Sequence, residues 1–202
     1  PLSNFIIFFF FSIPLNIFEQ RYIDMINDSM KSNKLIGMIQ PRNSNNLMTI
    51  PMLHEVGCLG KISTYVENDD GTLIVKLTGV CRFNINEKLE SDRAYNKMRV
   101  SYNQFKDDLK LNDPIKSIDR DKLLNVISDY LNVNDLTTDW SVITDTDTEI
   151  LINAFAMLSP FSSEEKQALL EAKNIENRSE ILIALSEMSI ASRNDKKNNF
   201  IQ

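Results

Sequence analysis

The apolar residues of this chain change period once, and that change constrains the fold more than any other feature. Up to Phe105 they alternate or come in short runs. From Asp113 onward they recur every three to four positions. The first region therefore predicts strands. Leu53 to Glu67 alternates, interrupted at Gly57 and Gly60, and Thr72 to Ile85 returns with Gly79 as a second interruption. Glycine inside a strand marks a bulge or bend, which a closing sheet needs. Asn68-Asp69-Asp70-Gly71 between them is a hairpin turn, and Asp-Gly is a strong signal of one. Lys97 to Phe105 predicts a further strand, and Lys34 to Gln40 a short one stopped by Pro41. Residues 5–11 (FIIFFFF) predict a strand buried on both faces or at an interface. The chain is then expected to turn at Pro14 and enter one helix from Glu19 to Ser32, with Tyr22, Ile23, Ile26 and Met30 on its buried stripe. Glu19 suits the positive end of that helix dipole.

The second region predicts a bundle of about four helices. Asp119 can cap a helix with Leu123, Leu124, Ile127 and Leu131 on one face. Thr146-Asp147-Thr148-Glu149 and Ser162-Ser163-Glu164-Glu165 both read as capping boxes. The first precedes Ile150, Leu151, Ala154, Phe155 and Leu158, and Asn177 opens a last helix with Ile181, Leu182, Leu185 and Met188. Trp140 is expected to plug the bundle from a loop. The fold class is α+β, with a β domain over 1–112, a helical bundle over 113–194 and a disordered tail over 195–202.

Charge and composition narrow the function. A net charge of −6 and a pI near 4.9 argue against a phosphate-binding surface, so no nucleic-acid partner is expected. Residues 2–18 are apolar but interrupted by Asn4, Ser12, Pro14 and Asn16, and no basic flank precedes them; no membrane role is expected. Cys58 and Cys81 form no disulfide framework, which suits a reducing cytoplasm. With His54 they lack the paired spacing of a structural zinc site, so no metal and no cofactor are expected. No P-loop and no G-x-S-x-G elbow occur. The carboxylate pairs Asp69/Asp70, Asp107/Asp108 and Glu164/Glu165 sit in turns or at helix starts, where solvation or capping accounts for them. No catalytic residue is expected.

Several motifs carry a family resemblance. PLNIFEQRY (Pro14 to Tyr22), LIGMIQP (Leu35 to Pro41), VGCLGKI (Val56 to Ile62), Asp70-Gly71 and LTGVCRF (Leu77 to Phe83) occur in order. They resemble the signature of the Lon N-terminal domain family, with Gln20 standing where proline is usual. EKQALLEA (Glu165 to Ala172) resembles the helical part of bacterial Lon-domain proteins that stand alone, without ATPase and peptidase modules. The resemblance implies a twisted, partly closed PUA-like β-barrel holding one helix. Pro14, Glu19, Arg21, Tyr22, Gly57, Gly60, Gly71, Gly79, Arg82 and Phe83 are its scaffold, with Glu19 and Arg21 expected to hold the helix to the barrel by ion pairing. It also implies a non-catalytic module that recognises unfolded or apolar protein segments or a partner protein. Phe8, Phe9, Phe10, Phe11, Met38, Met48 and Met52 are the candidate contacts, since aromatics and methionines make adaptable apolar surfaces. A hydrolase or peptidase with an unrecognised site, or an RNA-binding PUA-like module, are the alternatives.

Overall fold

The computed structural model describes residues 6–8, 11–42, 52–110 and 117–199. The chain divides into two compact units, Pro1–Leu111 and Asn112–Gln202.

The first unit is built on five antiparallel strands, β1 (Ser12–Ile17), β2 (Leu35–Met38), β3 (Val56–Glu67), β4 (Leu73–Leu89) and β5 (Lys97–Ser101). Their order is β1-β4-β3-β2, with β5 on the far half of β4. The β3–β4 hairpin is the spine. It turns at Asn68–Gly71, where Gly71 adopts φ +79°, a left-handed value that glycine takes without penalty. Thr72 donates its N–H to Asp70 at 3.0 Å and closes the turn. Two register shifts bend this hairpin. One leaves Val80 unpaired beside the Gly60–Gly79 pair, the other leaves Ser63 unpaired between Ile62 and Thr64. A Cβ on Gly60 would collide with Leu77, and one on Gly57 with Phe83 and the Met38 carbonyl, so these glycines admit large inward side chains.

The first strand lies further along the chain than expected. Residues 6–8 form no strand, and β1 begins at Ser12, with Pro14 inside it opposite Lys76 instead of at a turn. Proline is tolerated there because β1 is an edge strand and one side of it needs no donor. Helix α1 (Gln20–Met30) follows and buries Ile26 and Ser29; Glu19 stands at its N-cap position without a side-chain capping bond.

The second unit is helical: α2 (Arg120–Val133), α3 (Trp140–Asp145), α4 (Thr148–Leu158), α5 (Ser163–Glu171) and α6 (Ile175–Asn199). Asp119 caps α2 through the Lys122 N–H, and Ser162 and Glu165 form the expected capping box of α5. Asp147, not Thr146, caps α4. Helix α6 packs against α2, α4 and α5, and it runs through Asp195, where a disordered tail was expected, to Asn199.

Two further expectations are corrected here. Trp140 does not plug the core: it starts the extra helix α3 and is 39 % exposed. The aromatic centre is Tyr130, Phe155 and Phe161 instead, with ring centroids 5.2 to 6.5 Å apart. The buried faces of α4 and α6 are also turned from those expected. Ile150, Leu158 and Met188 are exposed, while Asn153, Arg178, Ser179 and Ser186 are buried. Polar side chains facing inward with hydrogen-bond partners displaced the apolar stripe by about one position.

Candidate functional site

The first unit encloses an apolar pocket of about 560 Å³ between α1 and the inner face of the sheet. Its floor is Val75, Leu77 and Phe83 of β4. Val75 and Leu77 share a face because strand side chains alternate; the bulge at Val80 lies between them and Phe83, and the bend there brings Phe83 to the same pocket. Tyr22, Met25 and Ile26 of α1 form the roof, Leu35 to Ile39 one wall, and Met98 and Val100 the other. Phe18, 70 % exposed, stands at the mouth. A volume of this order lies within the range of ligand pockets, and its lining is mainly apolar.

The charged groups at the rim are satisfied locally. Arg21 pairs with Glu19 at 2.8 Å and stacks over the Tyr22 ring at 4.5 Å. The expected role for this pair, tethering the helix to the sheet, is therefore not the one seen, since the two residues meet each other. The helix is tethered from its other end. Asp28 accepts from the Tyr95 hydroxyl at 2.9 Å and pairs with Arg93 at 3.3 Å, and Ser29 donates to the Leu35 carbonyl at 3.1 Å. Burial, then the hydrogen bond to Asp28, pushes the Tyr95 phenol above its ordinary value.

A second cluster fixes the sheet below the pocket. Between the β1 and β5 partners of β4, the Arg82 N–H is taken by the Asp108 carboxylate at 2.9 Å. The Arg82 guanidinium reaches the same carboxylate at 2.7 and 2.9 Å, both side chains being 4 % exposed, and lies over the Phe105 ring. Asp108 belongs to the 3-10 segment Asn103–Leu109, which this cluster docks on β4. Sequence reasoning placed Asp107/Asp108 in a solvated turn. Asp107 fits, being paired only with exposed Lys110, but Asp108 is buried. No local pattern marks it, because its partner lies 26 residues earlier.

The predicted contact residues do not converge on one surface. Phe8 is fully buried, Phe11 half-buried with its carbonyl accepting from Gly79, and Met52 67 % exposed. Phe9, Phe10 and Met48 lie outside the described residues. Of the predicted contacts that are described, only Met38 lines the pocket, together with four residues expected to be scaffold: Glu19, Arg21, Tyr22 and Phe83. Pro14, Gly57, Gly60, Gly71, Gly79 and Arg82 serve the sheet. Cys58 and Cys81 are buried and free; burial pushes both thiols up, Cys58 the further, so neither is a ready nucleophile. Among the described residues no cluster of His, Cys, Asp or Glu is arranged to hold a metal.

Residues 1–186 match the ATP-dependent protease La (LON) substrate-binding domain family. The chain belongs to that family. Among curated relatives, the Lon protease of Buchnera aphidicola subsp. Acyrthosiphon pisum is 27 % identical over 209 aligned positions, which cover 94 % of this chain and 24 % of that protein. The Lon protease of Flavobacterium johnsoniae is 24 % identical, covering 88 % and 22 %. The chain thus spans about a quarter of the length of the curated relatives it matches. Two solved structures share the fold. The Lon N-terminal domain protein from Xanthomonas campestris superposes with a TM-score of 0.63 at 20 % identity, over 90 % of this chain and 93 % of that one. The N terminal domain of Mycobacterium avium complex Lon protease gives 0.61 at 14 %, over 91 % and 93 %. The expected family and fold class, a PUA-like β-rich domain followed by helices, are as found. Lon substrate-binding domains are recognition modules, and part of the pocket lining, including Phe18, Tyr22, Met38, Leu77 and Phe83, falls in the stretches of this chain that resemble the family's motifs.

Proposed function

We propose that the first unit captures apolar segments of non-native proteins in the α1–sheet pocket and does so without catalysis. The observation that carries this reading is the pocket itself. An apolar cavity of about 560 Å³ is held open by a helix tethered through Asp28, and its rim charges are matched within the rim. Such a site selects by apolar bulk, since each buried methylene contributes about 0.8 kcal/mol while the mouth offers no uncompensated charge. Capture of this kind delivers proteins to a peptidase, whether that machinery lies on the same polypeptide or on a partner. A cytoplasmic location and a protein ligand, not a nucleic acid, belong to the same reading.

The test is binding of fluorescently labelled reduced casein, followed by anisotropy and by hydrogen–deuterium exchange. Slowed exchange over Gln20–Met30 and Leu35–Met38 is expected. Phe18→Ser and Met38→Glu should each weaken binding about tenfold with an unchanged circular dichroism spectrum. Protection elsewhere, or variants that bind as the parent does, would remove the pocket from this role.

A further inference from the structure

We propose that the α3 face of the second unit docks a Lys- and Arg-rich protein segment that carries apolar side chains. This goes beyond the reading of the first unit and uses a different surface. Arg120 holds α3 in place, its guanidinium donating to the carbonyls of Thr144 and Thr146 at 2.8 and 2.6 Å and to the Thr148 hydroxyl at 2.7 Å. The helix therefore does not need its outer side chains for anchorage, and two of its exposed residues, Trp140 and Val142, are apolar. Trp140 is 39 % and Val142 60 % exposed, with Leu136 at 42 % on the approach and Ile150 at 44 % on the next helix. Residues 135–142 are exposed without a break.

Charge says what covers this face. The second unit holds sixteen Asp and Glu against nine Lys and Arg, whereas the first holds twelve against thirteen. From Leu123 to Glu165 there are eight acids and no Lys, Arg or His. Asp135, Asp139, Asp145 and Asp147 are exposed around α3, and among the described residues no Lys or Arg pairs with them. Asp139 and Asp147 accept from backbone N–H groups as caps, which leaves their negative charge in place. The net field around α3 is negative, four exposed carboxylates against the Arg120 guanidinium that anchors the helix, and it draws cations and repels acidic chains, nucleic acids and anionic membranes. The exposed Trp and Val add an apolar term that a bare polycation cannot satisfy. The occupant must therefore bring both cationic and apolar side chains.

Trp140 is the only tryptophan, so the intact chain carries its own reporter at the site. The probe is an amphipathic peptide of Lys and Leu, with polylysine and a Glu–Leu analogue alongside. The Lys–Leu peptide should shift Trp140 emission to the blue, saturate, and bind several-fold more weakly as salt rises from about 50 to about 300 mM. Asp145→Lys and Val142→Ser should each weaken it about tenfold with an unchanged circular dichroism spectrum, because both side chains are exposed. Three results would overturn the proposal: no shift with the peptide, polylysine acting as tightly as the peptide, or both variants binding within twofold of the parent. The reporter lies in the second unit, so failure here is distinguishable from failure of casein capture in the first.

Discussion

Each unit buries an arginine, and the two are held in different ways. Arg82 meets the Asp108 carboxylate with its backbone N–H, Nε and Nη2 and rests on Phe105. Arg178, 1 % exposed, donates to the Leu169 carbonyl at 3.0 Å and to the Asn153 side-chain oxygen at 2.8 Å. The difference follows from what each architecture leaves unpaired. Along β4 the pairing with β1 stops at Thr78 and that with β5 starts at Asn84, and a carboxylate carried in by another segment fills the gap. In the bundle, the orphan is a carbonyl in the last turn of α5, and a guanidinium from α6 meets it while bridging to α4. The β unit is thus completed by a charge pair, and in the helical unit a guanidinium meets a carbonyl and an amide oxygen.

This comparison is sharpest in stability. Asp108→Ala strands a buried guanidinium and should cost about 3–5 kcal/mol in urea denaturation. Arg178→Met keeps an unbranched stem but removes the donors to the Leu169 carbonyl and the Asn153 oxygen, so about 1–3 kcal/mol is expected. Equal losses would break the distinction. Next in size is Gly60→Ala, where a Cβ against Leu77 should cost about 1–3 kcal/mol by the same measurement. The second unit has no glycine and so no equivalent position.

Smaller effects test two non-glycine residues that are left-handed among the described ones, Lys34 at φ 60° and Asp135 at φ 54°. Lys34→Gly should raise stability by about 1 kcal/mol in thermal melts, and Asp135→Gly by about half as much, since Asp tolerates this region better. Asp135 closes a helix-ending motif in which Leu136 donates to the Leu131 carbonyl and Asp135 to that of Asn132. The smallest effect is pH dependence. Hydrogen bonds from Thr72 hold the Asp70 carboxyl below its ordinary 3.8, and those from Ser141 do the same for Asp139. The folded state then binds these protons less readily than the unfolded state. Their stabilisation is present above 3.8 and is lost as pH falls through the lower folded-state values. Asp70→Asn and Asp139→Asn should each flatten the acid limb of a stability–pH curve.

Much of the scaffold was legible in the chain, and little of the site. The Asn68–Gly71 turn, the bulge at Gly60 and Gly79, the Asp119 cap and the Ser162/Glu165 box all depend on neighbours a few residues away, so short patterns report them. β1 starts later than expected because Ile6, Ile7 and Phe8 carry strand propensity but join no ladder among the described residues, while SIPLNI finds β4 as its partner. Trp140 was assigned to the core by its type alone, yet three other rings already occupy that centre.

By itself the sequence determined the division into a strand-rich and a helical half, the family, and the hairpin and caps, because periodicity and capping are short-range properties. Only the tertiary structure decided that Tyr22, Met38 and Phe83 share one pocket, that Asp108 is buried while Asp107 is not, and that α3 turns Trp140 outward. Each of these depends on the register of strands or the phase of helices brought together from far apart in the chain. A shift of one residue in that register sends a side chain to the opposite face, and no local pattern records which face was chosen.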